Sequence, residues 1–163
     1  MNKKYQIGLV IGRFQPFHKG HDYLIKKAFS KVDKLVIAIG SSNIKDIDNP
    51  ISYVKRKKIL NMYIREKGLD KKVIKMFPLP DNPSDDVWLK NAVKKAGKID
   101  VVVSNNDRNV NRFFKKAGFA ILKFPFYKRN LYEGKTIRHL VRNNKKWGKR
   151  VPENLISFIE NVL

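Results

Sequence analysis

Two histidines and two glycines fall within ten residues near the start of this chain, in Gly12-Arg13-Phe14-Gln15-Pro16-Phe17-His18-Lys19-Gly20-His21. His18 and His21 are three residues apart, so at the start of a helix both can project toward one ligand. An imidazole there donates a hydrogen bond to a phosphate oxygen. It also stabilises the negative charge that grows on a departing pyrophosphate. Gly20 permits close backbone approach at the same place, and Arg13 adds a permanent positive charge. The plainer alternative is that both imidazoles only cap the helix. The chain has three histidines in all, so two in one turn weigh against that alternative. Neither a Gly-x-Gly-x-x-Gly dinucleotide fingerprint nor a Walker A run occurs, so phosphate must be held by another arrangement.

The flanking segments say how the turn is positioned. An apolar run, Tyr5–Ile11, precedes it and reads as a buried strand; Gly20–Phe29 follows as an amphipathic helix. Further strands are expected at Lys34–Ile39, Val73–Phe77, Ile99–Val103 and Ala120–Phe124. Between them lie helices at about Ser52–Lys67, Asp85–Ala96 and Val110–Ala117, the last two closed by Gly97 and Gly118. Ser84 is placed to cap the Asp85 helix, with Asp85 and Asp86 in its first turn. Two C-terminal helices are expected at about Lys135–Asn143 and Pro152–Leu163, the second with proline at its first position. Strands alternating with helices build right-handed βαβ units. The expected architecture is a single α/β domain: a Rossmann-like, doubly wound, parallel five-stranded sheet with C-terminal helices. Ligands of such sheets sit beyond the carboxyl ends of the strands, which directs attention to Gly12–His21, Gly40–Pro50, Pro78–Trp88, Ser104–Asn111 and Pro125–Arg138.

Composition narrows the classes. A chain of 163 residues with 42% apolar residues can bury a real core. It has no cysteine, which excludes disulfides, thiolate metal sites and cysteine nucleophiles. No apolar run is long enough to span a bilayer, and the chain enters a strand at once, so a cytoplasmic protein without membrane contact is expected. The 36 Lys+Arg against 14 Asp+Glu give a formal net charge of +22. Only nine of those cations are arginine, the residue of bidentate phosphate readers, and the pairs are scattered along the chain. Compositional drift plus anionic small substrates is therefore favoured over a dedicated nucleic-acid surface. From Gly134 to Arg150 seven basic residues meet no acidic one; a solvated face is the plain reading from Arg142 on.

The Gly12–His21 turn resembles the His-x-Gly-His signature of the nucleotidyltransferase superfamily, and its longer Arg-Phe-Gln-Pro form resembles the archaeal-type nicotinamide-mononucleotide adenylyltransferases. The resemblance runs from Ile7 to Leu163. It implies transfer of AMP from ATP to nicotinamide mononucleotide (NMN), giving NAD and pyrophosphate. It implies ATP contacts from Gly12, Arg13, Phe14, His18, Gly20 and His21. Gly40-Ser41-Ser42 and Asn49-Pro50-Ile51-Ser52 are similar to two further family segments, and the family's Glu-Arg is met by Lys55-Arg56. The basic residue the family carries before Asn-Pro is replaced by Asp48. Glu133-Gly134-Lys135-Thr136-Ile137-Arg138 resembles Ser-Gly-Thr-x-x-Arg. Gly134 and Arg138 match, whereas Glu133 and Lys135 depart, and Gly134, Lys135 and Arg138 are the implied phosphate contacts. His18, His21 and Arg138 are the implied catalytic set.

For the acceptor, the resemblance implies that Trp88 stacks on the nicotinamide ring and that Asp85 and Asn106 contact NMN. Without it, Trp88 would read as a core side chain on an amphipathic helix, and Asn106 as a turn residue. Magnesium would arrive on ATP, with no protein metal site. A homo-oligomer, with a hexamer among the implied forms, completes the expectation. Transfer to another phosphorylated acceptor, or nucleic-acid binding on a degenerate fold, are the alternatives.

Overall fold

A computed structural model describes residues 4–105 and 107–163. Five parallel strands form one sheet in the order β3-β2-β1-β4-β5: β1 Tyr5–Gly12, β2 Val32–Gly40, β3 Val73–Leu79, β4 Val101–Ser104 and β5 Ala120–Lys123. Helices α1 Lys19–Phe29, α2 Tyr53–Glu66, α3 Asp85–Ala96, α4 Arg108–Lys116, α5 Gly134–Arg142 and α6 Ile156–Val162 cover it.

The strands read as continuous apolar runs because both faces of the sheet are covered. Val10, Leu35, Ile37, Ile39, Val101 and Val103 point to one face and pack with α1, α2 and α6 through Leu24, Ile59, Leu60 and Ile159. Leu9, Val36, Ala38, Val102 and Phe77 point to the other and pack with α3 and α4 through Ala92, Ala96 and Phe114. Each fully buried leucine or isoleucine in these layers contributes roughly 1.5–3 kcal/mol of transfer free energy.

The strand order turns back at β1, which lies between β2 and β4. A crevice opens there, beyond Gly12 and Ser104. Several boundaries differ from expectation. β3 runs on through Pro78 to Leu79, paired with Ile39 and Gly40. β3 is an edge strand, where a missing N–H costs no ladder bond. Ile99 stays outside β4, and Asp100 instead accepts the backbone N–H of Ile7 at 2.8 Å. α4 starts at Arg108 because the Asp107 carboxylate caps Asn109 and Val110 at 3.0 and 3.1 Å. The expected last helix is split: Glu153–Leu155 is a 3₁₀ turn, and α6 starts only at Ile156. α3 keeps its expected bounds, with Ser84 capping Val87 at 3.3 Å and Gly97 at φ 74°.

Candidate active site

The crevice is a cavity of about 500 Å³. The β1–α1 turn and the start of α5 packed on it form one wall, and α3 and α4 an aromatic end. It gathers Gly12, Arg13, Phe14, His18, Gly20, His21, Trp88, Gly134, Lys135 and Arg138 from widely separated parts of the chain. Two expected residues are not there. Asp85 is exposed in the first turn of α3 and does not line the cavity, so its carboxylate is left to the helix dipole. Asn106 lies outside the described residues; its neighbour Asn105 lines the wall.

At the start of α1 the histidines do cap the helix, through Nδ1 alone. His18 Nδ1 accepts from Gly20 N–H at 3.1 Å, and His21 Nδ1 accepts from His18 N–H at 3.2 Å. A ring nitrogen that accepts carries no proton, so the neutral tautomer of each histidine has its hydrogen on Nε2. The two rings are stacked with centroids 3.7 Å apart, and His21 also packs against Phe14 and Phe17 at 4.7 and 5.4 Å. Burial lowers the His18 pKa to about 3. Burial, and then the positive charge His18 would carry, hold His21 well below the ordinary histidine range. Both rings are therefore neutral at pH 7, each offering one Nε2–H donor to the cavity. Phe14 borders the cavity, yet its ring is buried: it lies beneath Gly12, where an added Cβ would come within 2.8 Å of it.

Arg138 approaches from α5. It is 4% exposed, and its Nη1 donates to the Gln15 carbonyl at 2.7 Å. Its Nη2 donates to Asp48 Oδ1 at 3.0 Å, while Nε has no hydrogen-bond partner among the described residues. Gly134 packs directly on the β1–α1 turn, since a Cβ there would fall 2.8 Å from the Gln15 carbonyl oxygen. No side chain among the described residues caps α5; Glu133 stands at the cap position and pairs instead with Arg129 at 3.9 Å. Lys135 and Arg13 are exposed at the same wall. An uncapped helix N-terminus with cations beside it is a ready anion site.

Arg56, which stands where the family shows the arginine of its Glu-Arg pair, supports the turn from below. It is 0% exposed and donates to the carbonyls of Arg13, Gly40 and Ser41 at 2.7, 2.7 and 3.2 Å. Those bonds tie the ends of β1 and β2 together. Gln15 ties the turn to the next loop, its amide exchanging two bonds with the Ile51 backbone at 2.8 and 2.9 Å.

At the aromatic end, Trp88 is half-buried: it packs against the core beneath α3 and also lines the cavity. Phe113 on α4, with its centroid 6.1 Å from Trp88, lines the cavity too; nothing in the sequence singled it out. The segment after β5 supplies Phe126, Tyr127 and Tyr132 as a rim. Tyr127 stacks between Tyr23 and Tyr132 at 4.7 and 5.5 Å. Among the described residues no group of three or more His, Cys, Asp or Glu side chains could hold a metal. None of the described helices is long and apolar enough to cross a membrane.

A cytidylyltransferase-like family model matches residues 9–160, which takes in β2 to β5, the second half of β1 and every residue that lines this cavity. The chain belongs to the cytidylyltransferase-like family. Among its relatives in this family is the nicotinamide-nucleotide adenylyltransferase of Archaeoglobus fulgidus. It is 36% identical over 157 residues, 93% of this chain and 89% of that protein. The enzyme of the same name from Saccharolobus solfataricus is 33% identical, over 95% of this chain and 90% of that one. The fold is similar to the crystal structure of a bifunctional NMN adenylyltransferase/ADP ribose pyrophosphatase from Francisella tularensis. The TM-score is 0.82 at 26% identity, covering 96% of this chain. This chain spans about half of that larger one, 49% of its length. A second structure of the bifunctional enzyme, complexed with AMP and a manganese ion, matches with a TM-score of 0.76 at 28% identity.

Proposed function

We propose that this member of the cytidylyltransferase-like family transfers AMP from ATP to NMN, giving NAD and pyrophosphate. The observation that carries the reading is the His18–His21 pair. Two neutral imidazoles are locked by their Nδ1 atoms and offer Nε2–H donors, at the α1 N-terminus, in a cavity that also holds Trp88.

In this reading the 5′-phosphate oxygen of NMN attacks the α-phosphorus of ATP in line. A P–O bond forms as the bond to the β-phosphate breaks, and the electron pair leaves with pyrophosphate. The protein supplies no nucleophile; it positions the reactants and stabilises charge. His21 and His18 donate to phosphate oxygens from a rigid, water-poor turn, where a fixed dipole stabilises growing charge most. Arg13, Lys135, Arg138 and the open start of α5 take the β- and γ-phosphates. Gly12 and Gly20 let the backbone approach the nucleotide. Trp88 offers its face to the cationic nicotinamide ring, with Phe113 behind it. A divalent cation, magnesium in the first instance, rides on the triphosphate as part of the substrate. A homo-oligomeric assembly and a cytoplasmic location belong to the same proposal; sedimentation of the purified chain tests the first.

The departures at Asp48, Glu133 and Lys135 favour one second reading, the same chemistry on another phosphorylated acceptor. Incubation with ATP and a panel of phosphorylated acceptors separates the two. Turnover of NMN above the rest supports the first. Turnover of a different acceptor with none of NMN replaces it.

A further inference from the structure

Arg138 sits among cations, and one exposed carboxylate answers it. Arg13 and Arg142 both lower its pKa, after burial, whereas Asp48 raises it. The Asp48 carboxylate, 61% exposed, lies 3.0 Å from Arg138 Nη2. The loop that carries it is held against α5 a second time, by Arg142 Nη2 donating to the Ile47 carbonyl. It is held against the β1–α1 turn by Arg13 Nη1, which donates to Asn49 Oδ1 at 3.4 Å. Asp48 therefore has a fixed place beside the two arginines of the phosphate wall. It is not itself a cavity-lining residue, so it meets Arg138 from the solvent side of the guanidinium.

We propose that Asp48 sets the polyphosphate affinity of this site, acting as a built-in counter-charge on Arg138 that weakens both ATP and pyrophosphate binding. This rests on the reading that Arg138 holds the β- and γ-phosphates. A polyphosphate that approaches Arg138 meets a guanidinium already half-neutralised, with a carboxylate a few ångströms further on. At that range like charges repel appreciably even in a partly aqueous setting. The carboxylate is exposed, which limits the effect to a modest factor. The functional consequence is faster release of pyrophosphate. Arg13, Lys135 and Arg138 stand together at this end of the cavity on a strongly basic molecule, so without such a counter-charge the product would linger.

Asp48 is a positioning and charge-setting residue, not a catalytic one, and the sign of the effect distinguishes it from a structural prop. Asp48→Asn keeps an oxygen that can accept from Arg138 Nη2 and removes the charge. Calorimetric titration with ATP and, separately, with pyrophosphate should then show about three- to tenfold tighter binding of both, with the gain shrinking as salt is raised. Asp48→Lys should move both affinities further in the same direction. Unchanged or weaker pyrophosphate binding by Asp48→Asn, in a variant that melts like the parent, overturns the proposal. Arg138→Ala separates this from failure of the underlying reading. If that variant binds pyrophosphate as well as the parent does, Arg138 is not on the phosphates. If it binds more weakly while Asp48→Asn is unchanged, only the role of Asp48 is lost.

Discussion

Each histidine of the α1 turn divides its work between two ring nitrogens. Nδ1 is spent on the backbone of the turn, which fixes the tautomer and leaves Nε2–H for the ligand. His21→Ala removes a donor that matters most as charge builds on the phosphates. Turnover should fall about 100- to 1,000-fold while the KM for ATP moves only a few-fold. Steady-state kinetics check this, and parental turnover would show that His21 does no more than cap. Trp88→Ala should act on the other substrate. The KM for NMN is expected to rise about tenfold, within the range of a desolvated cation–π contact, with the KM for ATP unaffected. Equal KM values for NMN in both proteins would leave Trp88 to the core beneath α3.

The elements show how much a sequence of this kind reveals. The five strands were legible because a parallel sheet covered on both faces demands unbroken apolar runs, and Tyr5–Ile11 and Lys34–Ile39 are such runs. α3 was legible to its last residue because Ser84 and Gly97 mark its ends by local chemistry. The expected start of α4, Val110, lies two residues past the true one because its cap is an aspartate, Asp107, in a polar stretch that reads as loop. The histidine turn was legible as a phosphate site, being contiguous. What was not legible is made by distance. Asp48 meets Arg138 across ninety residues, Phe113 reaches Trp88 from another helix, and the three carbonyls that Arg56 holds together lie on two other segments, although the residue itself matches the family pattern. The seat of α5 on the β1–α1 turn is the element-scale feature most open to test. Gly134→Ala would push a methyl group to 2.8 Å from the Gln15 carbonyl oxygen that also receives Arg138. The helix must shift, at a cost of about 1–3 kcal/mol in stability, and the KM for ATP should rise with it. A variant with parental melting temperature and KM would show that α5 is not seated there in solution.

At the scale of the molecule, charge and pH govern stability. A net charge of +22 on 163 residues stores self-repulsion that salt screens, so the melting temperature should rise between about 10 and 150 mM salt. The buried imidazoles add an acid limit. The unfolded chain takes up protons on His18 and His21 near the ordinary histidine pKa of about 6.5. The folded chain does not protonate His18 until pH about 3, and His21 is likewise depressed. The His18 contribution is thus complete above about pH 6.5 and is lost as pH falls from there toward 3, by up to about 1.4 kcal/mol per pH unit, and His21 acts in the same direction. Melting curves from pH 7.5 to 4 should show this loss, and the His18→Asn variant should lose less over the same range. Identical pH dependence would place His18 in a solvated setting. The most direct measurement is phosphorus NMR of the purified protein with ATP, magnesium and NMN. Growth of NAD and pyrophosphate in equal amounts, as ATP and NMN disappear together, is the expected result. Intact ATP and NMN after prolonged incubation with folded protein would contradict the assignment.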